Sequence, residues 1–209
     1  MIVAAPLLSP GGAWLRATDG ELEASGKSWM LPATTTDGLA LRRVVPPVLD
    51  IGCGPGRHVV ALAELGIPAL GIDITAIAVS VARARGASVL ERSVFDRVPA
   101  AGRWRSALLL DGNVGIGGDP VRLLRRVTAI LSPGARVIME LAGDAARAPV
   151  RTVRLELPNG AGPWFRWARV TDGDLLDLAV RTGHEVVETW RSSDGRSFAC
   201  LETPTRERP

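Results

Sequence analysis

An α/β fold, built on a seven-stranded and mostly parallel sheet that closes on an antiparallel C-terminal hairpin, is predicted for this 209-residue chain. Three observations predict it. Short, nearly continuous apolar runs alternate with helical segments from Val48 to Leu141, the order of parallel strands joined by crossover helices. The first of these strands passes to its helix through a glycine-rich turn, Gly52-Cys53-Gly54-Pro55-Gly56. The C-terminal part instead places two strand-like segments around Ser192-Ser193-Asp194-Gly195, the pattern of a hairpin.

Taken in order, residues 1–47 read as an irregular lead-in interrupted by Pro6, Pro10, Gly20, Gly26 and Pro32, with a short helix over Asp37–Val45 stopped by Pro46-Pro47. Val48–Ile51 is a buried-type strand, and Arg57–Leu65 a helix ended by Gly66. Ala69–Ile72 is the second strand, and Thr75 caps a helix over Ala76–Arg85 closed by Gly86. Ser88–Glu91 and Ser106–Leu110 are the third and fourth strands, the latter almost continuously apolar, as expected when both sheet faces are covered. Asp119 as N-cap and Pro120 in the first turn open a helix to Leu131, and Ser132-Pro133-Gly134 turns the chain into the strand Arg136–Leu141. Val153–Leu157 alternates like a half-wet strand, turns at Pro158-Asn159-Gly160, and finds a partner in Trp164–Val170. Thr171 and Asp174 are spaced as a capping box for a helix ending at Gly183. Glu185–Arg191 and Arg196–Glu202 form the final hairpin, and 203–209 is a frayed tail.

Length alone argues for one domain, since domains average roughly 150 residues. The expected division is a lead-in or cap over 1–47, the main domain over 48–202 with a hairpin lid at 151–170, and the tail. Hydrophobic residues at 46% and charged residues at 22% exclude disordered, collagenous and coiled-coil classes. Cys53 and Cys200 are the two cysteines and lack metal or disulfide spacing, so a reduced, cytoplasmic protein with no metal site is expected. No apolar run approaches the roughly 18 residues of a bilayer span, and Met1–Leu8 lacks the basic flank of a signal peptide, so no membrane partner is expected. Lys27 is the single lysine among 25 basic residues, and the net charge is +3. The arginines are dispersed from Arg16 to Arg208 rather than clustered, which argues against nucleic acid despite a pI near 9.6.

Glycines are needed at the strand–helix turn because side chains would hold a ligand away from the backbone, and the helix N-terminus behind them favours an anion. Asp73 ends the second strand, where a carboxylate can accept hydrogen bonds from ribose hydroxyls. The dinucleotide fingerprint G-x-G-x-x-G would place its third glycine at Arg57, whereas here the third glycine is Gly56. That G-x-G-x-G spacing after Asp50 resembles class I S-adenosylmethionine-dependent methyltransferases. The stretch Val48–Arg57 resembles their first motif, Leu70–Ile74 their second, and Leu131–Glu140 their proline-glycine turn and fifth strand.

The resemblance implies a Rossmann-like sheet and S-adenosyl-L-methionine as cofactor. It implies that Asp50, Gly52, Cys53, Gly54 and Gly56 surround the methionine end, Asp50 meeting the amino group, and that Asp73 holds the ribose. Ile74 packs on adenine, flanked by Ser93, Val94 and Phe95, with Ser93 where the family often has an acid and Asp96 the alternative. Asp111 and Asn113, at the exit of the fourth strand in a loop with Gly112, Gly115, Gly117 and Gly118, face cofactor or substrate, and they are the preferred catalytic candidates. No Asn-Pro-Pro-Tyr or Asp-Pro-Pro-Tyr motif occurs there, which argues against amino-methylation of adenine bases or glutamine side chains, and the absence of a Pro-Cys pair argues against cytosine C5 chemistry. Asp111, Glu140, Asp144 and His184 are possible bases, while His58 reads as a packing or capping residue and Cys53 as a small loop residue.

Trp164, Arg166, Trp167 and Arg169 form either a substrate lid or a core beneath the hairpin. The expected activity is methyl transfer to O or N of a small-molecule acceptor. Its rivals are a non-catalytic cofactor-binding module and an NAD(P)-dependent oxidoreductase on a similar fold.

Overall fold

The computed structural model describes residues 13–20, 22–25, 27–143 and 150–205. A seven-stranded sheet forms the centre in the order β11-β12-β7-β6-β3-β4-β5. Its strands are β3 (Val48–Ile51), β4 (Ala69–Asp73), β5 (Val89–Glu91), β6 (Trp104–Leu109), β7 (Leu131–Leu141), β11 (Glu185–Arg191) and β12 (Ser197–Glu202). β3 to β7 run parallel, and β12 and β11 add antiparallel at the β7 edge, so the expected α/β architecture is the observed one. The chain steps outward from β3 to β5 and then returns to lay β6 on the other side of β3. That reversal opens a crevice at the carboxyl ends of β3, β4 and β6.

Period-two alternation in the buried strands divides the core between the two faces of this sheet. Leu49, Ile51, Ala107, Leu109, Val137 and Met139 pack with Leu123, Leu124 and Val127 of α4 (Pro120–Ile130) and with Leu175 and Leu178 of α5 (Leu175–Thr182). Val48, Leu108, Leu110 and Ile138 face the other way, onto Ala40 and Leu41 of α1 (Thr35–Leu41) and Leu62 of α2 (Arg57–Glu64). α3 (Ala76–Ala84) packs beside α2 through Ala82 and Val79. Thr171 and Asp174 do form a capping box, on the 3-10 turn that leads into α5. No helix among the described residues is long and apolar enough to cross a membrane.

Two elements differ from the sequence reading. The Ser132-Pro133-Gly134 turn lies inside β7 as a bulge, because β6 pairs Trp104 with Leu131 and then Ser106 with Arg136. The lead-in is not wholly irregular: β1 (Trp14–Ala17) and β2 (Leu22–Ser25) form an antiparallel pair, and β1 docks on β8 (Arg151–Leu157). With β9 (Gly160–Ala161) and β10 (Phe165–Trp167), both on β8, they make a second sheet. β1 escaped notice because its partner lies far along the chain and four residues carry too little periodicity. The signal-peptide question at 1–8, Asp144, and the end of the tail lie outside the described residues.

Phe198 on β12 is fully buried and stacks on Trp190 of β11, the ring centroids 5.3 Å apart. Replacing it with Ala deletes a large core side chain at the sheet edge, so Phe198→Ala is expected to lower unfolding stability by roughly 3–5 kcal/mol, read from the urea midpoint at constant slope.

Candidate active site

At the carboxyl end of β3 the backbone turns through Gly52, Gly54 and Gly56, all at positive φ. Neighbouring strands strap this loop in place. Gly52 and Cys53 both donate their N–H to the Ile72 carbonyl of β4. Asn113, in the loop after β6, donates from Nδ2 to the Ile51 and Gly52 carbonyls at 3.0 and 2.9 Å. Asp73 accepts from the Gly54 N–H with one oxygen and the Thr75 N–H with the other, both at 2.8 Å. Burial raises the Asp73 pKa above the ordinary carboxylate value, and the two N–H groups oppose that rise.

The three loop glycines are required for different reasons. A Cβ on Gly52 would stand 2.8 Å from Asn113 Nδ2 and from Ile116, and one on Gly56 would stand 2.8 Å from the Ala82 Cβ where α2 meets α3. At Gly54 nothing lies within 4 Å, because that position opens on a cavity of about 320 Å³.

One wall of this cavity is the carboxyl edge of the sheet: Gly52, Cys53 and Gly54, then Asp73 and Ile74, then Ser93, Val94 and Phe95. Asp111, Asn113, Ile116 and Gly117 continue it after β6. The opposite wall comes from the second sheet, with Leu15 of β1, Leu155 of β8, and Phe165, Arg166 and Trp167 of β10, together with Trp29. Trp167 lines the cavity, packs with Leu15, Ala17 and Val153, and donates its indole N–H to the Gly112 carbonyl at 3.0 Å.

Beneath the glycine loop lies a network of charges. Arg57, buried in the first turn of α2, donates from Nη1 to Asp37 and from Nη2 to both Asp111 oxygens at 2.7 and 3.0 Å. Asp37 is capped in turn by Arg196, whose guanidinium also grips both oxygens of Glu140. Glu140 accepts the N–H of Asp111, a residue held in the left-handed region at φ 55. His58 sits between two carboxylates, Nε2 at 3.5 Å from Asp37 and Nδ1 at 3.8 Å from Asp50. Burial would lower its pKa, but the two carboxylates outweigh burial and push it up to about 9. Burial would raise the Asp37 pKa, yet His58, the Thr34 N–H, Arg196 and Arg57 hold it far below the usual carboxylate range.

A family model described as a methyltransferase domain matches residues 46–100. Among solved structures, an S-adenosylmethionine-dependent methyltransferase from Bacteroides fragilis, in complex with S-adenosyl-L-homocysteine, superimposes with a TM-score of 0.74 at 20% identity, covering 92% of this chain and 88% of its own. The chain has the fold of the class I S-adenosylmethionine-dependent methyltransferases. The 1,6-didemethyltoxoflavin-N1-methyltransferase of Burkholderia thailandensis shares this fold at TM-score 0.55 and 18% identity over 75% of this chain and 70% of that one. The glycopeptide N-methyltransferase MtfA does so at 0.61 and 18% over 85% and 98%. A comparison with curated protein sequences finds no match.

Within this methyltransferase fold most of the anticipated residues meet at the cavity, and several do not. Asp50 is not on the wall: strand alternation turns it to the same sheet face as Val48, where it is buried against His58. Gly56 serves helix packing. Trp164 is exposed and lies under Arg154 rather than on the cavity, and Arg169 is also off the wall. Asp96 is exposed outside it. Glu140 is tied to Arg196, and His184 is buried near Thr128 and Thr182, remote from the wall. Cys53 does line the cavity, but burial pushes its thiol well above the usual range.

Arg57 on the wall was missed, although an arginine in the first turn of a helix opposes the macrodipole and so calls for a local anion. Leu15 and Leu155 were missed because their role depends on the second sheet; Trp29 and Phe165 line the cavity as well.

The histidine has a pH signature. Its folded-state pKa is raised, so its contribution to stability is complete below about 6.5 and is lost as pH rises towards about 9. Unfolding stability of the wild type is expected to fall across that interval, and His58→Gln is expected to flatten the fall, as read from denaturant midpoints at a series of pH values.

Proposed function

We propose that the protein binds S-adenosyl-L-methionine in this cavity and transfers its methyl group to an oxygen or nitrogen of a small-molecule acceptor. The observation that carries the reading is the cradle at Gly54: the space a side chain would fill is open, and it is continuous with the carboxylate of Asp73 in the same cavity. Each carboxylate oxygen of Asp73 accepts one N–H and keeps a further lone pair for a ribose hydroxyl. Ile74 and Phe95 supply apolar surface for adenine. Asp111 replaces the buried Asp50 as the carboxylate available to the amino group. Arg57 is placed to meet the methionine carboxylate, and its Nε is a buried donor without a partner.

When bound, the cofactor supplies a methyl group on a sulfonium, whose carbon–sulfur bond breaks as the bond to the acceptor forms, the electron pair staying on sulfur. The chain's contribution is to hold the acceptor in line and exclude water, since no histidine among the described residues lines the cavity to act as base. The sheet formed by the lead-in and residues 151–167 acts as the cap over both ligands. Small acceptors fit a cavity roofed this way, and the Burkholderia thailandensis and MtfA relatives are named for compounds of this broad kind. Buried, unpaired Cys53 and Cys200 suit a reducing cytoplasm.

Calorimetry is expected to show binding of S-adenosylhomocysteine and none of NAD(P), the reverse result overturning the proposal in favour of an oxidoreductase. Formation of S-adenosylhomocysteine driven by some member of an acceptor panel would separate an enzyme from a mere binding module. Gly54→Val is expected to abolish cofactor binding by filling the open cradle, and at positive φ it also strains the loop locally. Asp73→Ala should weaken binding by about tenfold or more and also lower stability by roughly 1–3 kcal/mol, because it strands two buried N–H groups.

A further inference from the structure

Four arginines line the cavity, and their electrostatic situations differ. Arg57 is neutralised by Asp37 and Asp111. Arg92, Arg122 and Arg166 are exposed residues with no carboxylate at ion-pair distance among the described residues. The two acids on the wall are already engaged, Asp73 by N–H groups and Asp111 by Arg57. Asp119, beside Arg122 in space, is off the wall and caps α4 by accepting the Arg122 N–H.

Three separate elements bring these cations to one mouth: the exit of β5, the first turn of α4, and β10. Arg122 lies over the Phe95 ring at 4.6 Å from its centroid. That ring comes within 2.9 Å of where a Gly117 Cβ would be, and the next residue, Gly118, has the Arg166 Cβ and Nε at 2.9 and 3.3 Å from its own Cβ position. Two adjacent glycines at positive φ thus let Arg122 with Phe95 and Arg166 close on the same strip of loop. Like charges that line one cavity with no carboxylate at ion-pair distance among the described residues repel each other and concentrate anions, and guanidinium suits planar or tetrahedral oxyanions. The proposed cofactor does not need them, since its single carboxylate belongs at the Gly52 end beside Arg57. The same cavity also presents apolar surface, with Ile116, Leu155, Phe165 and Trp167 among its lining residues.

Resting on the methyl-transfer reading above, we propose that the acceptor is an anionic small molecule with an apolar body and a carboxylate or phosphate group, held at the cavity mouth by Arg166 and Arg122 with Arg92 adding to the field.

The test titrates the protein by calorimetry with benzoate, phenyl phosphate, benzamide and benzylammonium, with and without saturating S-adenosylhomocysteine. At least one of the two anions is expected to bind about tenfold more tightly than benzamide, with benzylammonium weakest, and the stronger anion names the oxyanion. Arg166→Gln should reduce that preference and Arg122→Gln/Arg166→Gln should erase it, while affinity for S-adenosylhomocysteine stays within about threefold. Benzamide binding as tightly as both anions, no anion binding at millimolar concentration, or a preference that survives in the double variant overturns the proposal. Failure of S-adenosylhomocysteine to bind, with the anion preference intact, overturns the cofactor reading and leaves the anion site standing.

Discussion

A buried guanidinium at the start of α2 is the constraint on which the rest of the site depends. Arg57 stands at the end of a helix where the macrodipole disfavours a cation, and removing it from water costs several kcal/mol unless anions surround it. Asp37 and Asp111 meet that demand, and each is committed further. Asp37 draws α1 and, through Arg196, the hairpin strand β12 towards the glycine loop. Asp111 is held in left-handed backbone by its N–H bond to Glu140, and its side chain is thereby presented at the cavity wall. One helix-terminal charge thus ties together five elements that the chain order keeps apart.

The glycine loop gains its shape from the same kind of mutual dependence. Its carbonyls are held by Asn113 from β6, and its N–H groups by Ile72 and Asp73 from β4. The strands on either side of β3 therefore position the turn and fix the open cradle at Gly54. Asp73 shows the dual use that buried carboxylates permit, completing the loop with one lone pair on each oxygen and leaving the others free.

The cavity itself belongs to two sheets. The large sheet provides the floor, a row of strand ends common to open α/β folds. The roof is assembled from a lead-in strand and from residues after β7, and the pairing of β1 with β8 brings Leu15 over a site formed more than thirty residues later in the chain. Apolar contact among Leu15, Ala17, Val153 and Trp167 holds that roof together, while Arg166 has no carboxylate at ion-pair distance among the described residues.

Much of this was legible in the sequence. Apolar runs, proline stops and glycine spacing are local signals, so the parallel strands, their helices, the final hairpin, the glycine loop and the acid after β4 could all be read residue by residue. What resisted reading was whatever depends on direction or on distant partners. Asp50 is one residue from the loop, yet alternation sends it to the far face against His58. His58, plain in sequence, has its pKa raised because the tertiary structure sets it between Asp37 and Asp50. Trp164 and Trp167 are three residues apart, and only the latter reaches the cavity, because β10 must pair with β8. The sequence by itself determined the succession of strands and helices along the chain, the turn chemistry and the composition of the glycine loop, since these follow from backbone propensity and periodicity. Only the tertiary structure decided which charges are neutralised and which stay free, because that depends on side chains brought together from segments the chain separates.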